Sequence, residues 1–331
     1  MIRPEANLVS NIFDKKAIAQ LPTRDGFGKG VVEAGEKDER VVVLCADLAE
    51  STRAQWFKDK FPERYIEIGV AEQNLATVAA GLAVYGKIPF ITSYAAFSPG
   101  RNNEQIRTTI SLNNVPVKIC GMHAGVSVGP DGATHQQLED IALMRVQPNM
   151  TVIVPCDAEE ARKATIAAAA SGKPLYLRLT REKTPVMTTP ATPFEIGKAI
   201  VMYEPENSHA TIIACGPLLY NALTVANELA SEGVPVTVIN NHTIKPLDTE
   251  TILKSVRGTG AVVTVEEHQI AGGMGSAVAE LLAKEHPVPI EFVGVKDSFG
   301  QSGNPDELIE HYGMGVGHIK EAVKRAVARK E

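Results

Sequence analysis

The sequence predicts an α/β protein of two doubly wound domains, each built on a mainly parallel sheet. Three observations lead there. Short runs rich in Val and Ile alternate with helical patterns almost from end to end, as in a sheet covered by helices on both faces. The alternation forms two series, separated by the Pro/Thr-rich segment Thr184–Pro193. The 331 residues, 44% hydrophobic and 22% charged, suffice for two ordinary soluble cores.

In the first series, strands are expected at Arg40–Ala46, Tyr65–Gly69, Ile88–Ser93, Val115–Gly121, Thr151–Pro155 and Leu175–Leu179. Helical patterns lie between them near Gly26–Glu36, Glu72–Tyr85, Asn102–Leu112, Gln136–Arg145 and Ala158–Ala170. The second series has strands at Thr211–Cys215, Val234–Asn240, Ala261–Glu266 and Ile290–Val295. Its helices fall near Leu218–Ser231, Thr249–Val256, Gly275–Glu285 and His318–Ala328. The division that follows is an arm at 1–20, a first domain at 21–186, an exposed linker at 187–193 and a second domain at 194–331.

Composition narrows the function. A net charge of -6 argues against nucleic acid as the main partner but leaves room for a small anion held by a local basic cluster. Met1 to Thr23 holds no apolar run of a secretion signal, and no stretch approaches the roughly 20 apolar residues of a membrane span. Cys45, Cys120, Cys156 and Cys215 lie far apart inside apolar runs, which predicts buried, reduced thiols of a cytoplasmic protein and no metal site.

Glu72 is the first candidate for chemistry. It opens an Ala-rich helix in line with Leu75, Ala76, Ala79 and Ala80, the face a helix turns to its core. A first-turn acid can simply complement the helix dipole. On the apolar face it is instead a carboxyl in a dry environment, suited to holding a proton for a ligand. The second candidate is Gly129-Pro130-Asp131-Gly132-Ala133-Thr134-His135-Gln136-Gln137. Pro-Asp-Gly signals a turn, and Thr134 with Gln137 fits a capping box that puts His135 at the first helical position. Asp131, His135 and His123 then share the carboxyl end of one strand, where parallel sheets bind ligands. Arg24, Arg101 and Arg181 stand near strand ends or loops and would bind a phosphate if they converge. Tyr94 and Phe97 form an aromatic pair that serves the core or stacks on a flat ring. Gly273-Met274-Gly275 lacks the full dinucleotide fingerprint and reads as a tight helix entry; His311 and His318 read as ordinary loop and helix-start residues.

Together these segments resemble the transketolase family. Ile68-Gly69-Val70-Ala71-Glu72-Gln73 is similar to its catalytic-glutamate motif, and Gly125 to Gln136 to its second hallmark. Gln147-Pro148-Asn149-Met150 to Pro155-Cys156-Asp157 follows at the expected distance. The resemblance covers about residues 20–331 and is strongest over 64–182; it implies a pyrimidine-binding domain followed by a transketolase C-terminal domain. It further implies that Glu72 bonds the aminopyrimidine of thiamine diphosphate, with Phe97 stacked on that ring, Tyr94 lining the pocket and Asp47 beside the cofactor. His135 would face the reacting carbon, Asp131 would read a substrate hydroxyl, and Arg24, Ser51, His123 and Arg181 would hold a sugar phosphate. Ser98-Pro99-Gly100-Arg101 aligns poorly with the family, which leaves Arg101 without a role.

One family feature is missing. Transketolases bind Mg²⁺ and the diphosphate through Gly-Asp-Gly in a further N-terminal domain, and no Gly-Asp-Gly occurs in this sequence. The resemblance therefore implies the small subunit of a split transketolase of the pentose phosphate pathway, with the metal on a large partner subunit in an α2β2 complex. Its C-terminal domain is expected to serve assembly. The alternatives are the beta subunit of a 2-oxoacid dehydrogenase, half of a 1-deoxyxylulose-5-phosphate synthase-like enzyme, and a scaffold subunit that has lost its chemistry. Joint retention of Glu72, Phe97, Asp131 and His135 opposes the last of these.

Overall fold

The computed structural model describes residues 1–330. In chain order the strands are β1 (Gln20–Leu21), β2 (Val41–Cys45), β3 (Tyr65–Glu67), β4 (Ile88–Tyr94), β5 (Lys118–Met122), β6 (Thr151–Ile153) and β7 (Leu175–Arg178). They continue as β8 (Thr184–Pro185), β9 (Ile200–Tyr203), β10 (Ala210–Ala214), β11 (Val236–Asn240), β12 (Thr243–Lys245), β13 (Val262–Gln269) and β14 (Ile290–Val295). The helices of the first half are α1 (Thr23–Lys37), α2 (Ala49–Thr52), α3 (Ala54–Lys60), α4 (Glu72–Val84), α5 (Asn103–Gln105), α6 (Asp140–Arg145) and α7 (Ala158–Ala170). Those of the second half are α8 (Leu219–Ser231), α9 (Thr249–Thr259), α10 (Met274–Glu285), α11 (Pro305–His311) and α12 (Val316–Ala328).

Every residue of β2 is buried, as a strand covered on both faces requires. The first sheet runs β12-β6-β7-β5-β4-β2-β3, and each neighbour pair is parallel except β12 with β6. The second runs β14-β13-β10-β11-β9, with only β9 antiparallel. Helix α4 turns Leu75, Ala76, Ala79, Ala80 and Ala83 inward, the face its sequence predicts. Helices α1 and α7 pack so closely that a Cβ at Gly30 would lie 2.7 Å from the Arg162 carbonyl oxygen. No helix of the described residues is long and apolar enough to cross a membrane. All four cysteines are buried and free.

Four local expectations change. Strand β12 comes from the second half of the chain yet completes the first sheet through β6, so the halves share a sheet. The segment read as an exposed linker is anchored. Met187 and Thr188 are buried, and the Asp157 carboxylate accepts their backbone N–H groups at 2.7 and 2.6 Å and the Thr188 hydroxyl at 2.8 Å. Short β1 and β8 pair just before it. The helix expected at Asn102–Leu112 is a short α5 followed by π-helical Ile106–Ser111. The helix expected from Gln136 begins only at Asp140, because Gln137 bridges Ala124 and its carbonyl accepts from Gly125 N at 3.0 Å and Arg178 Nη2 at 3.3 Å.

Arg178 joins the halves. Its Nε donates to Asp140 Oδ2 at 2.8 Å and its Nη2 to the Glu267 carbonyl at 2.8 Å; Tyr176 donates to the same Asp140 oxygen at 2.6 Å. The side chains of Arg178 and Asp140 are 2% and 0% exposed. Losing one partner strands the other charge out of water, which costs about 3–5 kcal/mol, whereas removing both costs less. We therefore expect Arg178→Met to lower the unfolding free energy by about 3–5 kcal/mol in urea titrations, and Asp140→Asn added to it to restore part of the loss. A single variant as stable as the natural chain would contradict this.

Candidate active site

The site lies at the carboxyl ends of β2, β4 and β5, where three loops and the start of α4 meet. Helix α4 begins at Glu72, which is 2% exposed. Glu72 Oε1 accepts from Ser93 Oγ at 3.2 Å, and Oε2 accepts from Arg101 Nη1 at 2.7 Å. Asn102 Nδ2 donates to the Glu72 carbonyl at 2.9 Å and so ties the helix start to the loop after β4. The Arg101 guanidinium also lies over the Phe97 ring, 4.7 Å from its centroid. One cation thus links the buried carboxylate to the aromatic pair. Glu72 is thus shielded from water and also paired, and Arg101, without a role in the family resemblance, has its place as that partner.

The aromatic residues are contiguous. Tyr94 and Phe97 are half-buried and stacked at 5.9 Å, His135 stands edge-on to both at 6.0 and 5.4 Å, and Tyr94 stacks on His123 at 3.9 Å. His135 is not at a helix start. It follows the left-handed Gly132, and its Nδ1 pairs with Thr134 Oγ1 at 2.9 Å, so the expected capping box does not form.

A basic cluster adjoins His123. Arg24, in the first turn of α1, donates to the Ser51 carbonyl at 2.8 Å and lies 3.4 Å from His123 Nε2. Arg181 reaches from the end of β7 to Asp131 Oδ2 at 3.2 Å and to the Val128 carbonyl at 3.3 Å. Burial, reinforced by Arg24 and Arg181, pushes the His123 imidazole down to about 3, so it is neutral near pH 7. Burial and then the neighbouring Arg53 lower the Arg24 guanidinium. Buried His123 Nδ1 and Arg24 Nε find no partner among the described residues, as suits groups that face a ligand.

Asp47 sits apart from the aromatic residues, in a groove it shares with Glu50, Ser51, Lys58 and Glu67. It is exposed, with φ 57°, and its backbone N–H donates to Glu67 Oε1 at 2.8 Å. Sequence reasoning missed Glu67, which braces that turn, and Arg53, which is fixed to Asp25 at 2.6 Å and adds charge beside Arg24. Neither belongs to a recognisable motif; the one signal for Arg53 is its place in the basic Thr52-Arg53-Ala54 turn beside Ser51.

Removing Arg101 leaves the Glu72 carboxylate with the Ser93 hydroxyl alone. Because Arg101 is half exposed, the loss is discounted for screening: Arg101→Met should cost about 1–2 kcal/mol in urea titrations, and Arg101→Lys should recover less than half of it, lacking the planar fork. Full recovery with Lys would show that charge alone suffices.

Comparison with known proteins gives the family. Residues 19–187 match the family description "Transketolase, pyrimidine binding domain" and residues 197–319 match "Transketolase, C-terminal domain". The 6-deoxy-6-sulfo-D-fructose transketolase subunit SqwH of Clostridium sp. (strain MSTE9) is 39% identical, over 93% of this chain and 95% of that protein. A putative transketolase C-terminal section of Methanocaldococcus jannaschii is 42% identical, over 88% and 92%. A solved structure described as "Split gene transketolase, inactive beta4 tetramer" superimposes with a TM-score of 0.87 at 44% identity, covering 94% of this chain and 100% of that one. With both of its halves matched, this chain belongs to the transketolase family.

Proposed function

We propose that the chain is the small subunit of a thiamine-diphosphate transketolase, moving a two-carbon ketol unit from a ketose phosphate to an aldose phosphate. The observation that carries this reading is the buried Glu72 carboxylate, linked through Arg101 to the Phe97–Tyr94–His135 cluster and set beside Arg24, His123 and Arg181. A carboxyl next to an aromatic face suits an aminopyrimidine, and the unpaired His123 Nδ1 and Arg24 Nε suit an anionic sugar. The similar SqwH subunit is named for a sulfonated sugar, which widens the anion to phosphate or sulfonate. When bound, thiamine diphosphate supplies the nucleophilic carbon that breaks the ketose C2–C3 bond. In this chain Glu72 holds the proton at the pyrimidine ring, Phe97 and Tyr94 clamp that ring, and Asp47 lies beside the cofactor. His135 faces the reacting carbon, Asp131 reads a hydroxyl, and Arg24, Ser51, His123 and Arg181 hold the anionic end.

The diphosphate and Mg²⁺ are then held by a large subunit carrying Gly-Asp-Gly, in a cytoplasmic α2β2 complex of sugar-phosphate metabolism. The Thr134-His135-Gln136 segment and the basic cluster favour this over a 2-oxoacid dehydrogenase beta subunit, whose substrates need no phosphate site.

Two measurements test the reading. In the complex, Glu72→Gln should retain cofactor binding yet slow hydrogen exchange at the thiazolium carbon by about a hundredfold, the lower range for losing a positioned acid–base group. Exchange as fast as in the unmodified complex would sink the assignment. Calorimetric titration of the isolated chain with thiamine diphosphate and Mg²⁺ should show weak binding at most, since one stack and a few hydrogen bonds barely offset the entropy of association. Micromolar binding with turnover by this chain alone would overturn the split-enzyme reading.

A further inference from the structure

The segment that carries Asp131 and His135 does not stand on its own sheet. It lies on the second half of the chain. Gln136, 4% exposed, donates through Nε2 to the Gln301 carbonyl at 2.9 Å as well as to the Val126 and Gly129 carbonyls at 3.0 and 3.3 Å. Buried Glu267, on β13, accepts from Ser127 N through Oε1 at 2.6 Å. Gly132, with φ +73°, sits where a Cβ would come within 2.6 Å of Ser302 Oγ, and a Cβ at Gly129 would lie 3.0 Å from Pro305 Cγ. Phe299 to Gly303 therefore runs directly behind the turn that aims Asp131 at Arg181 and His135 at Phe97.

We propose that this C-terminal-domain loop and Glu267 are positioning elements for substrate: they set where Asp131 and His135 stand, and through them the fit of the sugar, while leaving the pyrimidine end alone. The inference rests on the functional reading above. It assigns the C-terminal domain a part in specificity beyond assembly. The pyrimidine end is independent because Glu72, Ser93, Arg101 and Asn102 hold one another through bonds that involve no residue of the second half. Gln136 is the hinge of the arrangement: a single amide ties two carbonyls of the substrate turn to one of the C-terminal loop.

Gly300→Ala tests this without touching a site residue. Its new Cβ would fall on Gln136 Oε1, which has no partner among the described residues, and so would push the amide out of place. In the assembled complex, the KM for the sugar substrates should rise about tenfold, the equivalent of about one lost hydrogen bond, with the thiamine diphosphate Kd within about twofold of the natural chain. Gln136→Leu should do the same and replaces Gly300→Ala if the latter does not fold. An unchanged KM, or an equal loss of cofactor affinity, overturns the proposal. A second arm stands apart from turnover. In the isolated chain, amide hydrogen exchange should quicken over residues 126–132 and stay as it is over 72–84. Failure there overturns the positioning role, whereas a natural complex that never binds cofactor would overturn only the transketolase reading.

Discussion

Arg178 is a guanidinium with almost no access to water, and its donors reach three acceptors: the Asp140 carboxylate and the carbonyls of Gln137 and Glu267. Each acceptor belongs to a different piece of the molecule. Asp140 heads α6, Gln137 closes the turn of residues 125–136 by bridging Ala124, and Glu267 lies on β13 of the second sheet. A buried cation tolerates no slack, because an unpaired charge in a dry interior costs several kcal/mol. The geometry of the turn is thereby tied to the relative placement of two sheets. Glu267 extends the tie: burial pushes its carboxyl up, opposed first by Arg178 and then by the Ser127 N–H it accepts. Charge compensation at this joint and the shape of the 125–136 turn are one constraint.

Opposite electrostatic conditions govern the two ends of the site. At the Glu72 end a buried carboxylate is compensated by one half-exposed arginine that also covers an aromatic face. At the basic end Arg24, Arg53 and Arg181 crowd a buried histidine, and burial with their charge drives it to the neutral form. Repulsion among these cations is relieved in part by Asp25 and Asp131, each of which pairs with one of them. An anion brought to this cluster would relieve the remainder.

Much of this was legible beforehand, and the reasons divide cleanly. Strand Val41–Cys45 announces itself because burial on both faces demands an unbroken apolar run. The inward face of α4, with Glu72 at its head, follows from helical spacing alone. Three-residue β12 did not show, since its sequence, Thr243-Ile244-Lys245, takes its place only by pairing with β6 far away in the chain. Nor did the true start of α6. Thr134 and Gln137 satisfy the local rule for a cap, but long-range bonds from Gly125 and Arg178 claim the Gln137 carbonyl first. The linker failed for the same reason: one Asp157 oxygen caps α7, and the second reaches across to the Met187 and Thr188 N–H groups, far away in the chain. Residues whose partners are near in sequence were readable; those whose partners lie in another element were not. Arg101 belongs to the second group, as its partners Glu72 and Phe97 come together only once α4 packs on β4.

The candidate site is held together by contacts within this one chain. Glu72 is held by Ser93, Arg101 and Asn102, and the 125–136 turn by Gln136, Arg178, Glu267 and the Phe299–Gly303 loop, all within one polypeptide. Preorganisation is the costly part of a binding site, because loose side chains must be ordered when ligand arrives. Here that ordering is completed at folding by bonds internal to the chain. A partner that supplied only the anchor for a diphosphate and its metal would thus meet a site already shaped. It would need to align two finished halves, a problem of docking geometry and not of induced order.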